Sequence, residues 1–96
     1  MLARVMNVSL KPERIDEAVA NWPTYTGKFK GKGLHAGYML LDRKSGRVLS
    51  VTLWRDEAAL KANEASAEFK GAIDIFRPYF AAEPSSAYYA VAASVE

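Results

Sequence analysis

Histidine is the side-chain type that titrates near neutrality, so His35, alone of its kind in this chain, is the one ready-made general base. Trp54 ends an alternating apolar run and carries a single indole N–H that could hold a substrate oxygen at a pocket rim. Ser50 and Thr52 alternate with Trp54 and put hydroxyls on the same strand face, a semi-polar stripe suited to a cavity wall. Met39 shares a face with His35 in a second alternating run, and Lys70, beside Phe69 on a helical stretch, could turn a cation toward a space between helix and sheet. Such a set would bind a small apolar molecule, take a proton from it and steady the charge left behind. Each residue also has a plainer reading. His35 can hydrogen-bond backbone or water at a strand start, Trp54 can close a core or a subunit interface, and Lys70 can lie on a solvated helix face.

Other chemistries lack the residues. With no cysteine and one histidine, a structural zinc site, an iron–sulfur cluster, a disulfide framework, a thiol nucleophile and a multi-histidine metal site have no ligand set within one chain. No metal site is therefore expected. Gly31-Lys32-Gly33 with Gly37 is not GxGxxG, follows a helix instead of a strand, and opens no helix that would receive a phosphate, so a solvated mobile loop is expected there. Lys28, Lys30 and Lys32 beside Tyr25 and Phe29 could track a nucleic-acid strand. The third strand, Val48-Leu49-Ser50-Val51-Thr52-Leu53-Trp54, lacks the aromatic stacking run of RNA-recognition modules, which weighs against that partner.

The elements that would position these residues are legible from periodicity. Leu2 to Leu10 alternates, with Leu2, Met6, Val8 and Leu10 on one face, interrupted by Arg4. Lys11-Pro12-Glu13 opens a helix whose buried stripe is Ile15, Ala18, Val19 and Trp22, with Pro23 kinking it or ending it near Asn21. Residues 34–54 read as a hairpin about the polar turn Asp42–Arg47, with Leu34, Tyr38 and Leu40 on one face of its first strand and His35, Met39 and Leu41 on the other. Asp56 and Ser66 can cap two successive helices. The second carries an apolar stripe of Phe69, Ala72, Ile73 and Phe76, ends near Pro78, and leads to a last strand over Ala87–Val95. The order is β-α-β-β-α-β: an α+β, ferredoxin-like fold with a four-stranded antiparallel sheet as one domain over residues 1–96.

Helices on one side leave the other sheet face bare. All four strands carry apolar residues on both faces, and a chain of 96 residues buries too little surface by itself, so a homodimer through that face is expected. Half of the residues are hydrophobic and a quarter charged, the balance of an ordinary globular protein. Net charge is +2, split unevenly: nine Lys/Arg against four Asp/Glu in residues 1–48, four against seven in residues 49–96. Neither a signal-peptide-like apolar stretch nor a membrane span is visible, so a cytoplasmic protein with no membrane partner is expected.

The run from Gly33 to Ala59 resembles the central block of the antibiotic biosynthesis monooxygenase (ABM) family: a PGF-like start, a strand, a D-R-x-T-G-like turn (Asp42-Arg43-Lys44-Ser45-Gly46), then a strand ending W-x-S/D-x-E-A (Trp54-Arg55-Asp56-Glu57-Ala58). The resemblance covers the order of elements along the whole chain and implies a dimeric α+β barrel with a cavity between sheet and helices in each subunit. Some members oxygenate quinol or anthrone-like molecules without metal or flavin, which implies a monooxygenase-like protein with no cofactor, acting on, or simply binding, a small aromatic molecule. Trp54 matches the tryptophan that hydrogen-bonds substrate in those enzymes. Ser50 stands where they have an asparagine, Leu60 where they have a tyrosine, and Lys70 near their helix arginine. The haem-degrading relatives are set apart, because Ile73 follows Phe69-Lys70-Gly71-Ala72 where they place an axial histidine. A non-catalytic ligand-binding or structural homodimer is the alternative.

Overall fold

The computed structural model describes residues 1–96. Strands β1 (Leu2–Ser9), β2 (Leu34–Asp42), β3 (Arg47–Trp54) and β4 (Ser85–Ala90) form one antiparallel sheet in the order β2-β3-β1-β4. Helices α1 (Ile15–Thr26), α2 (Glu57–Ala65) and α3 (Ala67–Phe76) make up the helical part, so the α+β ferredoxin-like arrangement is observed. Asp56 and Ser66 cap α2 and α3 as their positions predict, accepting from the backbone N–H of Ala59 at 2.8 Å and of Phe69 at 3.1 Å.

Strand register sorts the side chains into cross-strand rows. One face carries Leu41–Val48–Val8, then Met39–Ser50–Met6, then Gly37–Thr52–Arg4–Tyr88, then Leu34–Trp54–Leu2. The other carries Leu40–Leu49–Asn7, Tyr38–Val51–Val5–Ala87 and Ala36–Leu53–Ala3–Tyr89. Two clusters hold the helices to the first face. Val8, Leu10, Ile15, Ala18, Val48 and Tyr79 pack at one end, and Phe29, Leu34, Trp54, Ala59 and Leu60 at the other. The second face has no helix over it, and Tyr38, Leu40 and Tyr89 there are 56%, 51% and 58% exposed.

Four expectations need correction. A β-bulge between Leu34 and Ala36 shifts the register of β2, so Leu34 joins Met39 and Leu41 on the helix-facing side and His35 is turned out, exposed. Helix α1 runs through Pro23 to Thr26, so of the two readings of Pro23 the one that ends the helix near Asn21 does not hold. Side chains on either side of the proline are tied down, Trp22 to Ser50 and Tyr25 edge-on against Phe76, and this tertiary anchoring outweighs one missing helical hydrogen bond. The lysine-rich segment Gly27–Lys32 is a 3-10 helix instead of a loose loop, pinned by Phe29, which is buried beside Trp54. Finally, β4 spans Ser85–Ala90 instead of Ala87–Val95: it pairs only with β1, whose residues run out at Leu2, opposite Ala90.

Candidate functional site

Between the helix-covered sheet face, α1 and α3 lies a cavity of about 80 Å³. Its floor is the middle of the sheet, where Met6, Met39 and Ser50 form one row and Arg4 and Thr52 belong to the next. Its walls are aromatic: Trp22, Tyr25 and Phe29 from the α1 side, Phe69 and Phe76 from α3. The two helices are bridged across the gap by the edge-to-face pair Tyr25–Phe76, ring centroids 5.7 Å apart. Gly37 keeps this arrangement open. A Cβ there would lie 3.1 Å from the Trp22 ring, so the bare backbone lets the indole lie against the sheet.

Polar groups at the floor are few and mostly paired. Trp22 Nε1 donates to Ser50 Oγ at 3.0 Å, leaving the serine's own hydrogen free to donate into the cavity. Thr52 Oγ1 accepts from Trp54 Nε1 at 2.9 Å and donates to the Arg4 carbonyl at 3.5 Å. Arg4 is a cation only 4% exposed. Its guanidinium lies over Phe69, 4.5 Å from the ring centroid, and 5.2 Å from that of Trp54. Nη1 donates to Asn63 Oδ1 at 3.0 Å and reaches Glu64 Oε2 at 3.4 Å. Glu64 in turn accepts from the Tyr88 hydroxyl at 2.6 Å. Burial pushes the Arg4 guanidinium below its ordinary value, with Glu64 opposing that shift; the hydrogen bond to Glu64, followed by burial, raises the Tyr88 phenol.

The residues singled out from sequence fall into three places. Met39 and Ser50 line the cavity. Trp54 is fully buried beneath it, its one N–H already given to Thr52, so it braces the floor instead of presenting a donor. His35 and Lys70 are exposed and outside the cavity. Lys30 Nζ donates to the His35 carbonyl at 3.0 Å, a contact of the main chain and not of the imidazole. Ile73 is on the cavity wall and Leu60 is in the core beside Trp54. Arg4 is the residue that sequence reasoning passed over. It showed only as a break in the apolar face of β1, yet a cation at the centre of an otherwise apolar face is itself a signal, because burying it costs several kcal/mol, roughly, unless it is held and used. No three His, Cys, Asp or Glu side chains cluster as a metal site would require, and no helix is long and apolar enough to cross a membrane.

Comparisons with known proteins agree with this architecture. No curated protein matches the sequence. Among solved structures, a crystal structure of an antibiotic biosynthesis monooxygenase superposes with a TM-score of 0.78 at 20% identity, covering 97% of this chain and 100% of that one. A protein from Deinococcus radiodurans, described as a possible antibiotic biosynthesis monooxygenase, gives a TM-score of 0.81 at 14% identity over 100% of this chain and 97% of its own. SnoaB, a cofactor-independent oxygenase from Streptomyces nogalater, gives 0.76 at 12% identity over 98% and 95%. At these identities the likeness is one of fold. The family model described as antibiotic biosynthesis monooxygenase matches residues 1–74, from β1 into α3, and the chain belongs to that family.

Proposed function

We propose that the cavity receives a flat, apolar molecule of about one aromatic ring, quinol-type in its chemistry, and that the protein acts on it as a cofactor-independent monooxygenase working as a homodimer. The observation that carries this reading is the cavity itself: an aromatic-walled space over a sheet floor on which Ser50 holds a free hydroxyl hydrogen. Its size limits the ligand. A space of about 150 Å³ accepts a benzene ring, and this one is smaller, about 80 Å³, so a tricyclic anthrone does not fit and one ring fits only as flexible Met6 and Met39 yield.

In such a reaction the electron-rich, deprotonated substrate gives an electron to O₂. One oxygen atom becomes bonded to a ring carbon and the other leaves as water with two of the quinol's hydrogens, so that the quinol ends as a hydroxyquinone. The protein's part is to exclude water, orient the ring and steady the oxyanion. Ser50 is the donor placed for this, since the Trp54 N–H is engaged. With His35 outside, the lining holds no imidazole and no carboxylate, so the substrate's own acidity must supply the anion.

A second reading, a ligand-binding homodimer without catalysis, is favoured by the same absence of a base in the cavity. Oxygen uptake separates the two. With single-ring dihydroxyaromatics in chelator-treated buffer, the first predicts uptake above the buffer rate that falls on Ser50→Ala. Saturable binding without uptake would leave the second.

A further inference from the structure

The cation beneath the cavity points to the class of ligand. Only one edge of the Arg4 guanidinium is used by the protein: Nη1 meets Asn63 and Glu64, whereas Nε and Nη2 donate to no protein atom. Neither is sealed in, because no buried side-chain nitrogen or oxygen in the molecule lacks a partner. Arg4 is only 4% exposed and lines the cavity, which is the space we assign to those two donors. Nε and one Nη form the fork that matches a planar oxyanion.

The surroundings hold that fork still. Phe69 and Trp54 stack on the guanidinium, and the buried Asn63 fixes its far edge. Glu64 offsets part of the charge, but it lies on the Nη1 side, is partly solvated, and shares its oxygen with the Tyr88 hydroxyl. Had Arg4 served only to tie β1 to α2, the Nη1 contacts would suffice and the other edge could be packed by apolar side chains.

We infer that Arg4 is an anion-binding residue and that the cavity selects a compact aromatic oxyanion, a carboxylate or a phenolate, whose ring lies among Phe69, Phe76 and Trp22 while its oxygens meet Nε and Nη2. This rests on the proposal that the cavity binds a ring at all, and it names what that ring carries. It also supplies what the cavity otherwise lacks: with no base in the lining, a cation that favours the ionised form of a bound phenol takes over part of that task.

Calorimetric titration of the wild-type protein with benzoate, with its neutral isostere benzamide, and with 4-nitrophenol at a pH where it is ionised tests this. Benzoate or 4-nitrophenolate should bind about tenfold or more tighter than benzamide, the margin of a charge-assisted over a neutral hydrogen bond. Which of the two binds tells carboxylate from phenolate. In Arg4→Met the preference should vanish while benzamide binding persists, and Arg4→Lys should retain part of it. Benzamide binding as tightly as both anions to the wild type would overturn the assignment of Arg4 and leave the cavity reading standing. Failure of all three compounds to bind would overturn both.

Discussion

At the scale of single residues, the molecule separates side chains that hold the cavity from those that face it. Trp54 belongs to the first kind, fully buried with its N–H on Thr52. Replacing it with phenylalanine removes buried ring surface and leaves Thr52 short of a donor. Trp54→Phe should therefore lower unfolding free energy by about 1–3 kcal/mol, read from urea denaturation. If stability is unchanged while ligand binding is lost, Trp54 is a contact residue after all. His35 belongs to neither kind, since the bulge in β2 turns it out to solvent. His35→Gln should leave oxygen uptake within twofold of wild type, and a drop of tenfold or more would bring the imidazole back as the base. The sequence showed the candidates but not this sorting. Alternation predicts a face correctly only while the register is unbroken, and nothing in Leu34-His35-Ala36 marks the extra residue.

The elements around the cavity are fixed by local devices that can be removed one at a time. Ser66 separates α2 from α3 by capping the second, and Ser66→Ala should cost about 1 kcal/mol. Gly33 stands at φ 100°, and a Cβ there would lie 2.5 Å from that of Ala59, so Gly33→Ala combines a left-handed backbone with a steric clash against α2. The expected loss is about 2 kcal/mol or more, seen as a lower midpoint in thermal or urea unfolding.

The N-cap of α2 also makes stability depend on pH. The backbone N–H of Ala59 holds the Asp56 carboxyl below its ordinary value, with Arg55 adding to that and desolvation opposing it. A depressed carboxylate contributes above its unfolded pKa and loses that contribution as pH falls through the lower folded value. Urea midpoints should therefore fall as pH drops below about 4, and fall less steeply in Asp56→Asn. Capping residues and stripe positions were readable because they act within one turn. The reach of α1 past Pro23 and the anchoring of the lysine segment by Phe29 were not, since both depend on partners far away in the chain.

For the molecule as a whole, one sheet face is covered and the other is not. The order of elements and the four-stranded antiparallel sheet could be read from the sequence, because hydrophobic period and turn chemistry agree along its length. A cavity between sheet and helices was implied by the family resemblance, but its size could not be read, because its volume is the small remainder left after side chains pack. The bare face, with Tyr38, Leu40 and Tyr89 more than half exposed, is the surface we propose a second copy covers. Sedimentation should give twice the 10.6 kDa chain mass at micromolar concentration, and Leu40→Lys should shift it toward the single chain.

The central claim is that a single aromatic ring enters between the sheet and α3, and the methionines report on it directly. Met6 and Met39 line the cavity and Met1 does not, being half exposed at the chain start. Titrating the protein with 1,4-dihydroxybenzene while following the three methionine methyl resonances should move those of Met6 and Met39 saturably by ring current and leave Met1 in place. Methyl signals of Met6 and Met39 that stay fixed up to millimolar ligand would contradict it.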